Sequence, residues 1–230
     1  MAVLSSEERE RYDRLRIDRE KRRFLISHAA LRGVLSSYAA RPPAEWAFEL
    51  NAHGKPFVAP EQNPEGLLFN LSHSADAALV AVASGLVELG VDIEFHRQGR
   101  RLEQLARRNF APAEVRALET AAPSERAAMF YDFWSLKESF VKARGMGLSM
   151  SLRSFAFSLD RGAGLRFEFA GGLGESPAGW QFWSYRLPGP FSAALALKAA
   201  SGQPVGAPRW FSATPLGAFE PMQPGAALST

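Results

Sequence analysis

The sequence predicts an α+β fold built as a pseudo-twofold pair of similar halves, each a helical segment followed by antiparallel strands. The order of helices and then strands occurs twice along the 230 residues. Two alanine-rich segments, 77–83 and 193–198, also lie at similar places late in each half. A repeated unit of this kind indicates an internal duplication. We expect halves at residues 1–96 and 97–200, followed by an irregular tail at 201–230 that is rich in Pro, Gly and Ala.

The first half begins with a helical segment from residue 6 to about residue 38, where apolar residues recur at three- and four-residue steps. Pro42 and Pro43 then interrupt the helical pattern. Alternating or short apolar runs follow, and they predict strands at residues 46–50, 67–71, 77–83 and 89–95.

The second half repeats this order. Helices are predicted at residues 102–109 and 112–120, and a long third helix is expected to begin near Ser124 and to end at Gly145. Strand patterns then return at residues 154–159, 165–169, 180–185 and 191–197.

Composition excludes several classes of protein. The chain has no cysteine, which rules out disulfides, thiolate metal sites and cysteine nucleophiles, and this fits a cytoplasmic location. No apolar run reaches the length of a membrane span, and the N-terminal residues lack the apolar core of a signal peptide. We therefore expect a cytoplasmic protein that does not associate with membranes.

Basic residues are concentrated in two stretches, 9–23 and 97–108. In the first stretch acids interleave at helical spacing, so a solvated helix face explains it as well as a binding surface does. The second stretch has Glu103 as its single acid, which favours an anionic or acidic protein partner. No aromatic platform accompanies either stretch, so nucleic acid is not an expected partner.

Three acids have the chemistry of a divalent cation site. Asp92 and Glu94 lie two residues apart in a predicted strand, so their side chains share one face, and Glu138 lies in the long third helix. Carboxylates together with substrate phosphates are the usual ligands of magnesium. The alternative for Asp92 and Glu94 is a solvated acidic strand face.

Two of the five lysines, Lys137 and Lys142, flank Glu138. A compact ammonium suits phosphate charge. Glu138 and Lys142 are four residues apart, so an ordinary surface pair is the alternative. The aromatic residues around them and the glycine loop that starts at Gly145 favour a ligand site instead.

Ser72 and His73 lie at the end of a predicted strand. Adjacent residues of an extended segment point in opposite directions, which is poor geometry for a nucleophile and its base. A hydroxyl and an imidazole at a strand end can instead bind phosphate oxygens or a ribose. A serine-capped turn explains the pair equally well.

Three segments in this order resemble the 4′-phosphopantetheinyl transferases, in particular the type that activates surfactin synthetase. They are Phe-Asn-Leu-Ser-His-Ser at 69–74, Gly-Val-Asp-Ile-Glu at 90–94 and Phe-Trp-Ser-Leu-Lys-Glu-Ser-Phe-Val-Lys-Ala at 133–143, preceded by Gly-Lys-Pro at 54–56. The resemblance implies that the active site lies in a cleft between the two halves.

The resemblance also implies an activity, the transfer of 4′-phosphopantetheine from coenzyme A to a serine of an apo acyl or peptidyl carrier protein, with release of 3′,5′-ADP. Magnesium would be held by Asp92, Glu94 and Glu138. Glu138 is then the candidate base, and Lys142 would neutralise the leaving phosphate. The coenzyme A site would comprise Arg14, Arg23, Lys55, Ser72, His73, Lys137 and Lys142, and the basic stretch at 97–108 would face the carrier protein.

Two other functions use some of the same residues. A magnesium-dependent phosphohydrolase of a nucleotide or pyrophosphate would share the acids, and a non-catalytic module could bind coenzyme A or a carrier protein without turnover. Since two halves in one chain can form a complete cleft, we expect a monomer.

Overall fold

The computed structural model describes the chain except for residues 1–2, 98–100, 161–163, 171–175, 201, 203, 215–217 and 226, and the side chain of residue 148. It confirms the predicted α+β class, with helices packed on antiparallel sheets. None of the helices in this described part combines the length and apolar composition that a membrane span needs.

From residue 3 onward, the described first half contains two α-helices and five strands. They are α1 (Ser6–Arg14), α2 (Asp18–Tyr38), β1 (Phe48–Leu50), β2 (Pro56–Val58), β3 (Leu68–Ser74), β4 (Ala77–Ala83) and β5 (Leu86–Phe95). The strands pair as antiparallel hairpins, β1 with β2 and β3 with β4.

The single helix predicted from residue 6 to residue 38 is wrong, because the chain turns between α1 and α2. Leu15 and Ile17 have extended backbone conformations there. The turn lets α1 fold back, so that Glu8 accepts a 2.7 Å hydrogen bond from the buried Arg32 of α2. The helical spacing of residues in the sequence does not change at residues 15–17, so the sequence pattern could not reveal the turn there.

Where the structure describes the second half, it contains three α-helices and four strands. They are α3 (Leu102–Asn109), α4 (Pro112–Thr120), α5 (Pro123–Arg144), β6 (Phe155–Asp160), β7 (Gly164–Phe169), β8 (Trp180–Leu187) and β9 (Phe191–Ala199). Helix α5 begins after Ala122 rather than at Ser124 and, as predicted, ends at Gly145, which has a left-handed conformation with φ of 62°.

The two halves join through their last long strands. Strand β5 pairs antiparallel with β9, and β9 pairs with β8, in one sheet. Helix α5 covers one face of this sheet, where its aromatic side chains pack with aromatic side chains of β6 and β8 and with alanines of β9. The other face packs against side chains of β3 and β4. The division at residue 96 itself stays a prediction.

The tail is irregular over most of its described length, yet it also contains β10 (Phe211–Ser212), β11 (Glu220–Pro221) and β12 (Ala227–Ser229). Strand β12 extends the central sheet by pairing with β8. The Trp210 ring packs on Tyr185 of β8, with ring centroids 4.7 Å apart. The tail therefore covers an edge and part of a face of the sheet, which its composition does not predict.

Candidate active site

Close packing of β5 on α5 builds the site. A Cβ atom at Gly90 would overlap the carbonyl oxygen of Ser139 and the backbone nitrogen of Ala143. Because glycine has no Cβ, the two backbones can lie against each other. This contact brings Asp92, two residues further along β5, beside Lys142 of α5.

Asp92 and Lys142 form an ion pair. Asp92 is buried, and its Oδ1 atom accepts hydrogen bonds from Lys142 Nζ at 2.6 Å and from Ser72 Oγ at 2.8 Å. Burial raises the pKa of Asp92, and the adjacent ammonium opposes that rise. A carboxylate from the first half is thus held by a lysine from the second.

Glu138 lies one helical turn before Lys142, and both side chains line one cleft. Burial raises the pKa of Glu138, and the negative charge of Asp92 raises it further. The two carboxylates are therefore close enough to interact. Glu94, the third predicted acid, accepts a 3.2 Å hydrogen bond at Oε2 from Ser74 Oγ.

The acids fit a divalent cation in one specific respect. Asp92 Oδ2 is buried and has no hydrogen-bond partner, although its neighbour Oδ1 has two. A buried oxygen of this kind, beside a second carboxylate, is suited to a hard cation. Within the described residues, however, no three Asp, Glu or His side chains are grouped closely enough to hold a metal, so the set Asp92, Glu94 and Glu138 stays a prediction.

The prediction that Lys137 binds coenzyme A is wrong. Its side chain is fully buried and pairs with the buried Glu114 of α4 at 2.8 Å. Its ammonium also donates 2.7 Å hydrogen bonds to the carbonyl oxygens of Leu152 and Phe155. Lys137 therefore points away from the cleft and ties α5 to α4 and to the start of β6.

Residues of the Phe-Asn-Leu-Ser-His-Ser segment divide between two locations. His73 is exposed, and its Nδ1 accepts a 3.3 Å hydrogen bond from Arg23 Nη2, since a guanidinium can only donate. Burial and the Arg23 charge lower the pKa of His73. Ser72 is buried among Asp92, Lys142 and the Ile93 amide, and its predicted phosphate contact stays a prediction.

Arg14 contacts its own helix. It is exposed, and its guanidinium donates to the carbonyl oxygen of Glu10 in its own helix. Its assignment to the coenzyme A site therefore gains no support, whereas Arg23 and His73 do lie together.

Lys55 connects the turn between β1 and β2 to both halves. Its Nζ donates to the carbonyl oxygen of Leu89 in β5 at 3.0 Å and to that of Ala143 near the end of α5 at 2.7 Å. Burial lowers the pKa of Lys55 to about 8, although Glu88 opposes the shift. Asn51, in the same turn, donates to the Gly145 carbonyl oxygen.

A cleft of about 670 Å³ opens over these groups, a volume typical of ligand sites. Its charged lining consists of Lys55, Arg108, Lys142 and Arg153 against Glu138. The cleft is therefore suited to an anionic ligand. Sequence reasoning did not identify Arg153, because no motif surrounds it and only folding of the loop after α5 brings it to the cleft.

Known proteins resemble this chain over most of its length. The 4′-phosphopantetheinyl transferase HetI of a Nostoc species is 36% identical over 148 residues, which are 64% of this chain and 62% of HetI. A 4′-phosphopantetheinyl transferase of Bacillus subtilis is 34% identical over 161 residues, 69% of this chain and 68% of that protein. This chain belongs to the 4′-phosphopantetheinyl transferase superfamily.

The two halves match separate family models of 4′-phosphopantetheinyl transferases. Residues 1–85 match the N-terminal model, and residues 88–196 match the superfamily model. The second matched segment contains Asp92, Glu94, Glu138 and Lys142. The boundary between the matched regions lies at the start of β5.

The chain spans 62% and 61% of the lengths of the first two relatives, from Nostoc and Synechocystis. Among solved structures, the holo-[acyl-carrier-protein] synthase of Neisseria meningitidis aligns with 49% of this chain and 98% of its own, at 20% identity and a TM-score of 0.41.

Proposed function

We propose that this member of the 4′-phosphopantetheinyl transferase superfamily transfers 4′-phosphopantetheine from coenzyme A to a serine of an apo carrier protein and releases 3′,5′-ADP. The observation that carries the proposal is the Asp92–Lys142 ion pair beside Glu138 in a basic cleft. Family membership and the carboxylate–lysine chemistry independently support phosphoryl transfer.

In this reaction the serine oxygen of the carrier forms a bond to the phosphorus that bears the pantetheine, and the bond from that phosphorus to 3′,5′-ADP breaks. Glu138 accepts the serine proton, directly or through water, because its raised pKa makes it a better base near neutral pH. Lys142 neutralises charge on the departing phosphate. Bound magnesium, held by Asp92, Glu138 and Glu94, would supply further neutralisation of the pyrophosphate.

The nucleotide end of coenzyme A is assigned to the basic residues around the cleft. Arg23, whose guanidinium donates to the neutral His73 ring, supplies one positive charge, and Lys55 supplies another. Both are suited to the 3′-phosphate, since guanidinium and ammonium groups are the usual phosphate partners. Lys55 must exchange a backbone carbonyl partner for the phosphate to make that contact.

The carrier protein is assigned to the basic stretch that follows β5. Arg97, Arg101, Arg107 and Arg108 are exposed, and Arg100 lies outside the described residues. Arg107 is paired with Glu119, whereas Arg108 lines the cleft. An acidic carrier surface would complement these charges, and the phosphate chemistry needs no second subunit, so we propose a cytoplasmic monomer.

Intact-protein mass spectrometry of an apo acyl carrier protein, incubated with this protein, coenzyme A and magnesium, tests the proposal. A gain of one phosphopantetheine on the carrier, abolished by a chelator and by replacing the carrier's acceptor serine with alanine, is expected. Consumption of coenzyme A without a gain on several carriers would indicate a hydrolase. Intact but bound coenzyme A would indicate a binding module.

A further inference from the structure

Strands β3 and β5 run side by side without the usual backbone ladder between them. The sheet that contains β5 comprises β12, β8, β9 and β5, while β3 pairs only with β4 among the described strands. One edge of β5 is thus bonded to β9, and the N–H groups of its other edge need different partners.

Side-chain oxygens of β3 supply those partners at regular intervals. The Val91 amide donates to Asn70 Oδ1 at 2.8 Å, the Ile93 amide to Ser72 Oγ at 3.3 Å, and the Phe95 amide to Ser74 Oγ at 3.0 Å. The sequence separation is 21 residues in every bond, so β3 and β5 run in the same direction. We call these three bonds the side-chain ladder.

Two steps of the ladder also hold an acid. Ser72 Oγ donates to Asp92 Oδ1 at 2.8 Å, and Ser74 Oγ donates to Glu94 Oε2 at 3.2 Å. Each hydroxyl therefore accepts from one β5 amide and gives its hydrogen to the carboxylate of the preceding residue. At the third step the equivalent β5 position is Gly90, where α5 takes the space of a side chain.

Hydroxyl bonding capacity explains why serine occurs at these positions. Ser72 Oγ gives its one hydrogen to Asp92 and accepts from Lys142 Nζ at 2.8 Å and from the Ile93 amide, which fills both of its lone pairs. Ser72 and Ser74 are both buried, so neither hydroxyl is freely exposed to water. A saturated, buried hydroxyl orients the carboxylate that it contacts.

We propose that Ser72 and Ser74 are positioning residues that fix the directions of the Asp92 and Glu94 carboxylates, and that Ser74 thereby sets the affinity of the site for a divalent cation. The proposal rests on the proposed function insofar as it takes these acids as cation ligands. Asn70 makes the first bond of the side-chain ladder, to the Val91 amide, and so helps to fix the register of β3 against β5.

Ser74→Ala tests the role of the hydroxyl, and binding of Mn²⁺ is the first measurement. Titration calorimetry is carried out with Mn²⁺, both with and without coenzyme A. The affinity of Ser74→Ala for Mn²⁺ should be about tenfold weaker than that of the wild type, because losing a group that orients a metal ligand typically costs at least this much. Ser74→Thr keeps the hydroxyl and should stay within about threefold of the wild type. Ser27→Ala is the matched control, because Ser27 Oγ is buried without a hydrogen-bond partner.

Amide hydrogen exchange by NMR is the second measurement and needs neither metal nor turnover. In Ser74→Ala the Phe95 amide should exchange faster, while the Val91 amide, bonded to Asn70, keeps its protection. If Ser74→Ala does not fold, Ser74→Cys replaces it, since a thiol is a weak donor of similar size and should give a smaller loss in the same direction.

Unchanged Mn²⁺ affinity in a folded Ser74→Ala variant would overturn the proposal, as would unchanged exchange at Phe95 or a wild-type protein that binds no Mn²⁺ under either condition. These results are separable from the proposed function. Wild-type transfer with an unaffected Ser74→Ala variant rejects only the positioning role. If Ser74→Ala binds Mn²⁺ more weakly than the wild type, but the wild-type protein transfers nothing, only the transferase proposal is rejected.

Discussion

Gly90 of β5 lies directly against the backbone of Ser139 in α5, with no room for a side chain between them. The elements that carry Asp92 and Glu138 therefore meet at their closest approach. A methyl group at this position must push the helix and the strand apart. Since the acids lie on either side of this contact, its geometry controls both stability and the site.

Gly90→Ala should lower the free energy of unfolding by about 1–3 kcal/mol or more, the usual cost of forcing extra atoms into a packed core. Transfer activity per folded molecule should also fall, because Asp92 and Glu138 separate. Urea denaturation and the mass-spectrometric transfer assay measure the two effects. Gly33→Ala is the control: an added Cβ there meets nothing within 4 Å, so this helix substitution should stabilise by about 0.5–1 kcal/mol.

Glu138→Gln should reduce transfer by about 10²–10⁴-fold, because the amide cannot accept the serine proton. Its melting temperature without metal should not fall, since the change removes a charge that Asp92 opposes. Transfer kinetics and thermal melting check both statements. Glu125→Gln is the control, because Glu125 lies on the same helix but pairs with Arg186, and this variant should keep normal transfer. Near-normal transfer by Glu138→Gln would reject the assignment of Glu138 as the base.

Lys137→Met should destabilise the fold by about 3–5 kcal/mol, because it leaves Glu114 buried without its cation. The KM for coenzyme A should stay unchanged in the folded fraction, since Lys137 does not reach the cleft. Urea denaturation and steady-state kinetics separate the two effects. Lys21→Met is the control: it removes a lysine over the Tyr12 ring and should lower the free energy of unfolding by less than about 1 kcal/mol. A selective rise in the KM for coenzyme A in Lys137→Met would restore the predicted binding role of Lys137.

Binding of 3′,5′-ADP should weaken as the pH rises through about 8, because Lys55 has a pKa of about 8 and loses its charge there. Calorimetry from pH 7 to 9.5 measures this. His73 does not produce the change, since its lowered pKa keeps it neutral throughout that range. Lys55→Arg should bind with little pH dependence, and a flat wild-type profile would contradict the assignment of Lys55.

The effect of Lys55 on stability has the opposite sign. Its pKa is lowered on folding from 10.5, so its contribution to stability is fully present above pH 10.5 and is lost as the pH falls through about 8. Ligand binding and folding stability therefore respond in opposite directions to the same titration.

Truncation after residue 200 should lower the melting temperature and promote self-association. It removes β12 from the edge of β8 and Trp210 from the Tyr185 ring. An uncovered strand edge is a template for pairing between chains. Thermal melting and size-exclusion chromatography provide the measurements, and truncation after residue 224 isolates the contribution of β12. A stable, monomeric 1–200 fragment would show that the tail is dispensable.

Much of the fold was predictable because its signals are local. Periodicity located α3, α4 and the strands around Asp92, and Gly145 marked the end of α5. The family resemblance supplied the predicted metal-binding acids and Lys142 from short segments. Each of these inferences depends on residues that are close in sequence.

The remaining features depend on contacts that the sequence does not display. Lys137 follows the same pattern as Lys142, and only its distant partner Glu114 shows that it is buried. Ser74 gains a role only when β3 lies beside β5. Likewise, three residues of β12 are too few for a pattern, and pairing with β8 alone makes them a strand.

The pairing of β5 with β9 has a consequence for synthesis on the ribosome. Phe95 pairs with Phe191, so this edge of β5 stays without its partner while about 100 further residues are translated, which takes roughly 5–20 s. During that interval the nascent first half has an open edge and lacks the helix that packs against Gly90. The contact between β5 and α5 that builds the candidate site therefore forms late in synthesis, and until then the first half has an unpaired strand edge of the kind that makes folding intermediates prone to aggregate.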